Sequence, residues 1–245
     1  MAPDSAAMIA RRLTQLMRAA ARLTVQTALG GDCPVCGDPM GDHEAGVCAH
    51  CWREAARASG GRQDLRGGHI STLTVLGAYE GRLREIIHCF KYGDRPELAG
   101  PLGDRLAEGL TAPGGVLAGV DMVVAVPLHW RRRLRRGYNQ SAQLARRVAR
   151  GTARPLLGAA LLRVRHTPPQ TGASRRGRLA NVRGAFRVRT PWLRRNRLAG
   201  ASILLVDDVV TTGATLREAA RALKAGGASH VHGAALARVM QPLIR

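Results

Sequence analysis

Residues 203–215 read ILLVDDVVTTGAT. Ile203, Leu204, Leu205 and Val206 form an unbroken apolar run, the pattern of a parallel strand covered on both faces. Asp207 and Asp208 follow at once, then two small apolar residues and the polar turn Thr211-Thr212-Gly213-Ala214-Thr215. From Leu216 the period becomes helical, with Leu216, Ala219, Ala220 and Leu223 three and four apart and Gly226-Gly227 as a stop. The order is strand, acidic tip, Gly/Thr loop, helix. Such a loop aims backbone N–H groups and hydroxyls at one spot beside the positive end of a helix, which suits a phosphate. Adjacent carboxylates at the carboxyl end of a strand suit sugar hydroxyls, because an ionised carboxylate accepts from two of them. A phosphate beside a vicinal diol describes a ribose 5-phosphate. The competing reading is an ordinary buried strand whose aspartates cap the next helix, and it gives no reason for DD and TTGAT to occur together.

The 245-residue chain is long enough for one α/β domain with a small appendage. Its formal charge of +21 favours polyanions: nucleic acid, an anionic membrane or phosphorylated substrates. Lys91 and Lys224 are the only lysines, and the chain is rich in Ala and Gly. A GC-rich genome would give the same arginine bias, so charge alone leaves nucleic-acid contact open. No run of 18 or more apolar residues occurs, which predicts no transmembrane segment. Arg11, Arg12, Arg18 and Arg22 interrupt any signal-peptide core, and the expected location is cytoplasmic.

Residues 1–30 read as an amphipathic helix, with Ile9, Leu13, Leu16, Met17, Ala20 and Leu23 on one face. Residues 31–60 carry Cys33-Pro-Val-Cys36 and Cys48-Ala-His-Cys51, two C-x2-C knuckles. Each knuckle gives two thiolates on a tight turn, and the four complete a tetrahedral site for structural Zn²⁺. Disulfides or an iron–sulfur cluster are the alternatives; His43 and His50 are not needed as ligands. Cys89 reads as a small buried hydrophobe. Gly60-Gly61 and Gly67-Gly68 bracket a polar linker, and residues 70–245 form the main domain.

That domain alternates strands at 73–79, 121–126, 203–206 and 231–239 with helices at 83–91, 97–110 and 141–150, which predicts a mostly parallel, doubly wound sheet. Pro127 closes the second strand, ahead of the run RRRLRR at 131–136. Guanidinium forks in a loop between a strand and a helix suit a diphosphate, and equally a nucleic-acid backbone or plain solvent. Residues 161–186 are rich in Pro, Gly and Arg, with too little apolar period for core, and read as a functional lid.

Residues 203–215 closely resemble the motif with which type I phosphoribosyltransferases bind phosphoribosyl diphosphate (PRPP). The whole chain, over about 30–240, resembles the ComF/ComFC family of competence-associated proteins with a phosphoribosyltransferase-like fold. The likeness rests on the cysteine knuckles, Phe90-Lys91-Tyr92-Gly93, Val126-Pro127-Leu128 and Arg136-Gly137-Tyr138-Asn139-Gln140. It continues through Gln170, Arg178, Asn181 and Ala185-Phe186 to Asp207–Thr215. Ala173 and Arg176-Gly177 depart from the expected pattern. The resemblance implies that Asp207 and Asp208 hold the ribose and help order Mg²⁺, while Thr211, Thr212, Gly213, Ala214 and Thr215 grip the 5-phosphate. Backbone near Pro127, with Arg136, would take the diphosphate, and the loop of Gln170, Arg178 and Asn181 would close over it.

Three functions fit these residues. The first is a PRPP-dependent transferase. The second is a DNA-uptake factor that binds PRPP and handles single-stranded DNA. The third is a scaffold whose zinc module docks a DNA-processing protein.

Overall fold

The computed structural model describes Met17 and residues 31–41, 44, 46–57, 60–64, 68–93, 95–128, 138–165, 182–189 and 197–240. Among them a five-stranded sheet runs in the order β1 (Gly61–Asp64), β2 (Thr72–Ala78), β7 (His230–Arg238), β6 (Ser202–Val210) and β3 (Met122–Ala125). The pairs β2/β7, β7/β6 and β6/β3 are parallel, and β1 joins the edge antiparallel. The apolar run in β6 is continuous because both faces are covered. Leu204 and Val206 enter a core shared with α2 (Gly81–Tyr92), α3 (Ala99–Thr111) and α4 (Gln140–Gly151). Ile203 and Leu205 enter a second core with α5 (Ala214–Ala225), β4 (Leu161–Arg163) and β5 (Phe186–Val188). This is the period-two alternation of a strand between two layers, and the sheet is doubly wound as expected.

Three expectations are corrected. The central strand does not stop at Val206 but runs to Val210, so the acidic pair lies within it. The reason is β7, which keeps pairing as far as Val210↔Arg238, whereas β3 ends opposite Val206. The glycine-bracketed stretch after residue 60 is no free linker, since Gly61–Asp64 pairs with β2 from Gly61↔Val75 to Asp64↔Thr72. A Cβ added at Gly60 would lie 1.9 Å from the Leu76 carbonyl oxygen, so that glycine marks a close backbone approach. The ends of the 161–186 segment are also core. β4 and β5 pair antiparallel, and Leu161, Val182, Ala185 and Phe186 are buried. Residues 166–181 lie outside the described residues, as does the 1–30 helix except for the exposed Met17.

The cysteine segment shares the main core. Cys33, Cys48, Cys51, Trp52 and Ala55 lie in the same buried cluster as Leu83, Ile86, Phe90 and Leu102. Its helix α1 (Ala49–Ala56) starts at Cys48, whose Sγ accepts from the Cys51 N–H and caps it.

Candidate functional site

Val126 N–H donates to the Val206 carbonyl at 2.9 Å, the last rung between the β3 segment and β6. Pro127 follows and has no N–H for another. From β3 the chain runs through α4 to Leu156, which bridges Val123 in parallel on the outer side. From β6 it departs the other way, through α5 to β7. The crevice between the carboxyl ends of β3 and β6 is therefore a topological switch point, where open α/β sheets place their ligands.

Asp207 and Asp208 stand at this crevice. Asp207 is buried, and its Oδ1 accepts from Ser141 Oγ at 3.0 Å and from the Asp208 N–H at 2.9 Å. Ser141 sits in the first turn of α4, which delivers its hydroxyl to the tip of β6. Burial first, and the Asp208 charge second, push the Asp207 carboxyl up to about 6, against the pull of those two donors. Asp208 Oδ1 accepts from the Val209 N–H at 2.5 Å, while its Oδ2 takes the Lys91 ammonium at 3.0 Å.

Next to Asp207 lies a small hollow, open to solvent, lined also by Thr211, Gly213, Ala214 and Thr215. Gly213 adopts the left-handed backbone (φ 72°) that brings the chain into α5, and no side chain caps this helix start. The Thr212 carbonyl accepts from Arg217. The acidic strand end and the Thr/Gly turn thus meet at one cavity. Pro127 lies at the end of the neighbouring strand, whereas Arg136, Gln170, Arg178 and Asn181 lie outside the described residues.

The Tyr138-Asn139-Gln140 sequence ties the crevice together. Tyr138 Oη donates to the Phe90 carbonyl at 2.7 Å, and Asn139 Nδ2 to the Val126 carbonyl at 3.3 Å. Gln140 is buried, and among the described residues neither of its amide atoms has a hydrogen-bond partner. Two residues of this site, Lys91 and Ser141, carry no sign of a chemical role in the sequence. Lys91 stands in FKYG at the end of an apolar helix stripe, and Ser141 reads like any first residue of a helix.

The four knuckle sulfurs lie within 4.8 Å of one another. Cys33 and Cys51 Sγ are 3.9 Å apart, Cys36 and Cys48 Sγ 3.6 Å. A tetrahedron of thiolates with metal–sulfur bonds near 2.3 Å has edges of about 3.8 Å, so the donor set fits a tetrahedral metal. All five cysteines are free thiols. Burial raises Cys33, but N–H donors from Cys48, Cys36 and Val35 outweigh it and bring the thiol down to about 7. Burial and its three sulfur neighbours push Cys51 up. Cys89 is half-buried and donates to the Pro34 carbonyl at 3.4 Å, so it braces the first knuckle as well as filling space. His50 points outward toward Glu54, and His43 lies outside the described residues.

The Phosphoribosyl transferase domain family matches residues 134–244. The chain is 31% identical over 217 residues to the DNA utilization protein YhgH of Salmonella typhi, covering 85% of this chain and 84% of that protein. Competence protein F of Haemophilus influenzae is 36% identical over 118 residues, 48% of the chain and 50% of the relative. Competence protein ComFC of Bacillus subtilis is 28% identical over 213 residues, 82% of the chain and 75% of the relative. The chain belongs to the ComF family. This ComF-family protein thus has a phosphoribosyltransferase-like α/β fold with a four-cysteine cluster near its N-terminus. Among the described residues no helix is long and apolar enough to cross a membrane.

Proposed function

We propose that this ComF-family protein binds PRPP in the crevice between β3 and β6 and serves DNA uptake. The observation that carries the reading is that Asp207, beside the switch point of the sheet, shares a single hollow with Thr211, Gly213, Ala214 and Thr215 of the turn. The uncapped first turn of α5 offers N–H donors to a 5-phosphate, with the Thr211 and Thr215 hydroxyls beside them. The ribose hydroxyls donate to the carboxylates of Asp207 and Asp208. The diphosphate lies toward Pro127; Arg136 would supply a fork for its oxygens, and Gln170, Arg178 and Asn181 would close over it.

Asp207 and Asp208 offer few free oxygens to a metal, since Ser141, Lys91 and two backbone N–H groups already use them. A Mg²⁺ that arrives with the ligand would be ordered by Asp207 and Asp208 and would supply charge neutralisation. The four cysteines hold Zn²⁺, which is structural because all four positions are protein thiolates.

Saturating PRPP tests the reading. A ligand at a hundred times its Kd stabilises the native state by about 2.7 kcal/mol, a clear rise in melting temperature. No shift with PRPP, with or without Mg²⁺, rejects the site. In a transferase, the chain would also release pyrophosphate from PRPP, and Asp208→Asn would abolish that release.

A second reading is favoured by the +21 charge and by the names of the relatives, DNA utilization and competence proteins. It adds single-stranded DNA as a partner. Phosphate contacts made by arginines give an affinity that falls steeply with salt and survives Asp208→Asn.

A further inference from the structure

Of 38 Lys and Arg residues, Lys91 and Lys224 alone are lysines. Each holds a specific oxygen: Lys224 the Ser229 carbonyl, Lys91 the Asp208 Oδ2 at 3.0 Å. The Lys91–Asp208 pair is nearly out of solvent, with side chains 12% and 16% exposed. A compact ammonium suits that space better than a planar guanidinium with five donors to satisfy. The lysine is also held from behind. Phe90 is fully buried, its carbonyl accepts from Tyr138 Oη, and its ring lies 6.3 Å from that of Tyr138. The end of α2 is thereby pinned to the start of α4, whose Ser141 holds the other acid.

Side chains alternate across a strand. Asp207 lines the hollow on the phosphate-turn side, while Asp208 meets Lys91 from α2, on the opposite layer. A ligand that sets one phosphate in the turn and its sugar over the strand tip carries its far end toward that second layer. An ammonium has three N–H donors, and the pair with Asp208 uses one.

We propose that Lys91 is a ligand-binding residue of this site, its ammonium bridging Asp208 and the diphosphate of a pentose 1-diphosphate. It is a resident cation that supplements whatever divalent ion the ligand brings. This rests on the reading of the crevice as a PRPP site.

Calorimetric titration of the full chain tests it, with ribose 5-phosphate, inorganic pyrophosphate and PRPP as probes, each in EDTA and in Mg²⁺. Lys91→Met leaves ribose 5-phosphate affinity nearly unchanged. In EDTA it weakens pyrophosphate and PRPP about ten- to a hundredfold, the span of a hydrogen bond to a charged group. Mg²⁺ narrows that loss, and Lys91→Arg recovers part of it. Asp208→Asn frees the ammonium, so it keeps pyrophosphate affinity while ribose 5-phosphate weakens; this variant decides the matter if Lys91→Met does not fold. Equal losses for all three probes in Lys91→Met, or no loss at all, overturn the proposal, as does loss of pyrophosphate binding in Asp208→Asn. If the wild-type chain takes up neither ribose 5-phosphate nor PRPP, the PRPP reading itself fails and this one with it.

Discussion

Asp207→Asn should make this protein more stable while disabling its site. The Asp207 carboxyl is raised from 3.8 to about 6, first by burial and then by the Asp208 charge. A raised carboxyl favours the folded state fully only below its unfolded value, and that contribution is lost as pH rises through the folded value. Holding Asp207 ionised therefore costs nothing well below pH 4 and, well above pH 6, about 3 kcal/mol by linkage. Asparagine is nearly isosteric and removes the charge. Both observed donors, Ser141 Oγ and the Asp208 N–H, go to Oδ1, which an amide oxygen can replace. Urea unfolding of both proteins should show Asp207→Asn ahead by about 1–2 kcal/mol at pH 5 and about 2–3 kcal/mol at pH 8. The same variant should lose PRPP binding, since an amide accepts fewer hydroxyl bonds than a carboxylate. A stability difference that does not change with pH, or a variant weaker than wild type at pH 8, would refute the claim that this acid is held against its own burial.

Ser141→Ala removes a donor that favours the ionised form of Asp207, so the pH midpoint for PRPP binding should move upward; an unmoved midpoint across a calorimetric pH series counts against that role. Glu218 is buried, accepts from the Gly184 N–H at 2.7 Å and pairs with Arg221 at 2.8 Å. Glu218→Ala should cost about 1–2 kcal/mol in urea unfolding, because it removes the acceptor of the Gly184 N–H and the partner of a half-exposed Arg221, and Glu218→Gln should cost less because it keeps an acceptor. Arg221, then the Gly184 N–H, hold that carboxyl below its ordinary range, against burial. Its contribution is present above pH 4.5 or so and fades as pH falls through the lower folded value. Metal analysis of the purified chain should find one zinc, and a chelator should lower the melting temperature, because Cys51 and Trp52 are part of the main core. Iron with a visible absorption band, or metal-free protein of unchanged stability, would be the contrary result.

The β6–turn–α5 unit was legible because it is local: strand, acids, turn and helix follow in one stretch, each with its own signal. The cysteine knuckles were legible for the same reason, since a turn already brings each pair together. β1 was not, because Gly61-Arg62-Gln63-Asp64 is exposed throughout and has no apolar alternation. It is a strand only through backbone pairing with β2. The core character of Leu161 and Phe186 was hidden likewise, because Leu161 meets Val188, and Arg163 meets Phe186, only when the ends of a long polar segment are brought together.

Local chemistry written in consecutive residues was determined by the sequence alone: two carboxylates, a phosphate-suited turn and four thiols, on a doubly wound scaffold. Which groups surround those carboxylates was decided by tertiary structure. Ser141 reaches Asp207 from 66 residues away, and Lys91 reaches Asp208 from a helix on the far side of the sheet order. Such contacts have no periodicity to betray them. They arise because β6 outruns β3 at Val206, leaving a gap at the carboxyl edge into which the ends of α2 and α4 deliver their side chains.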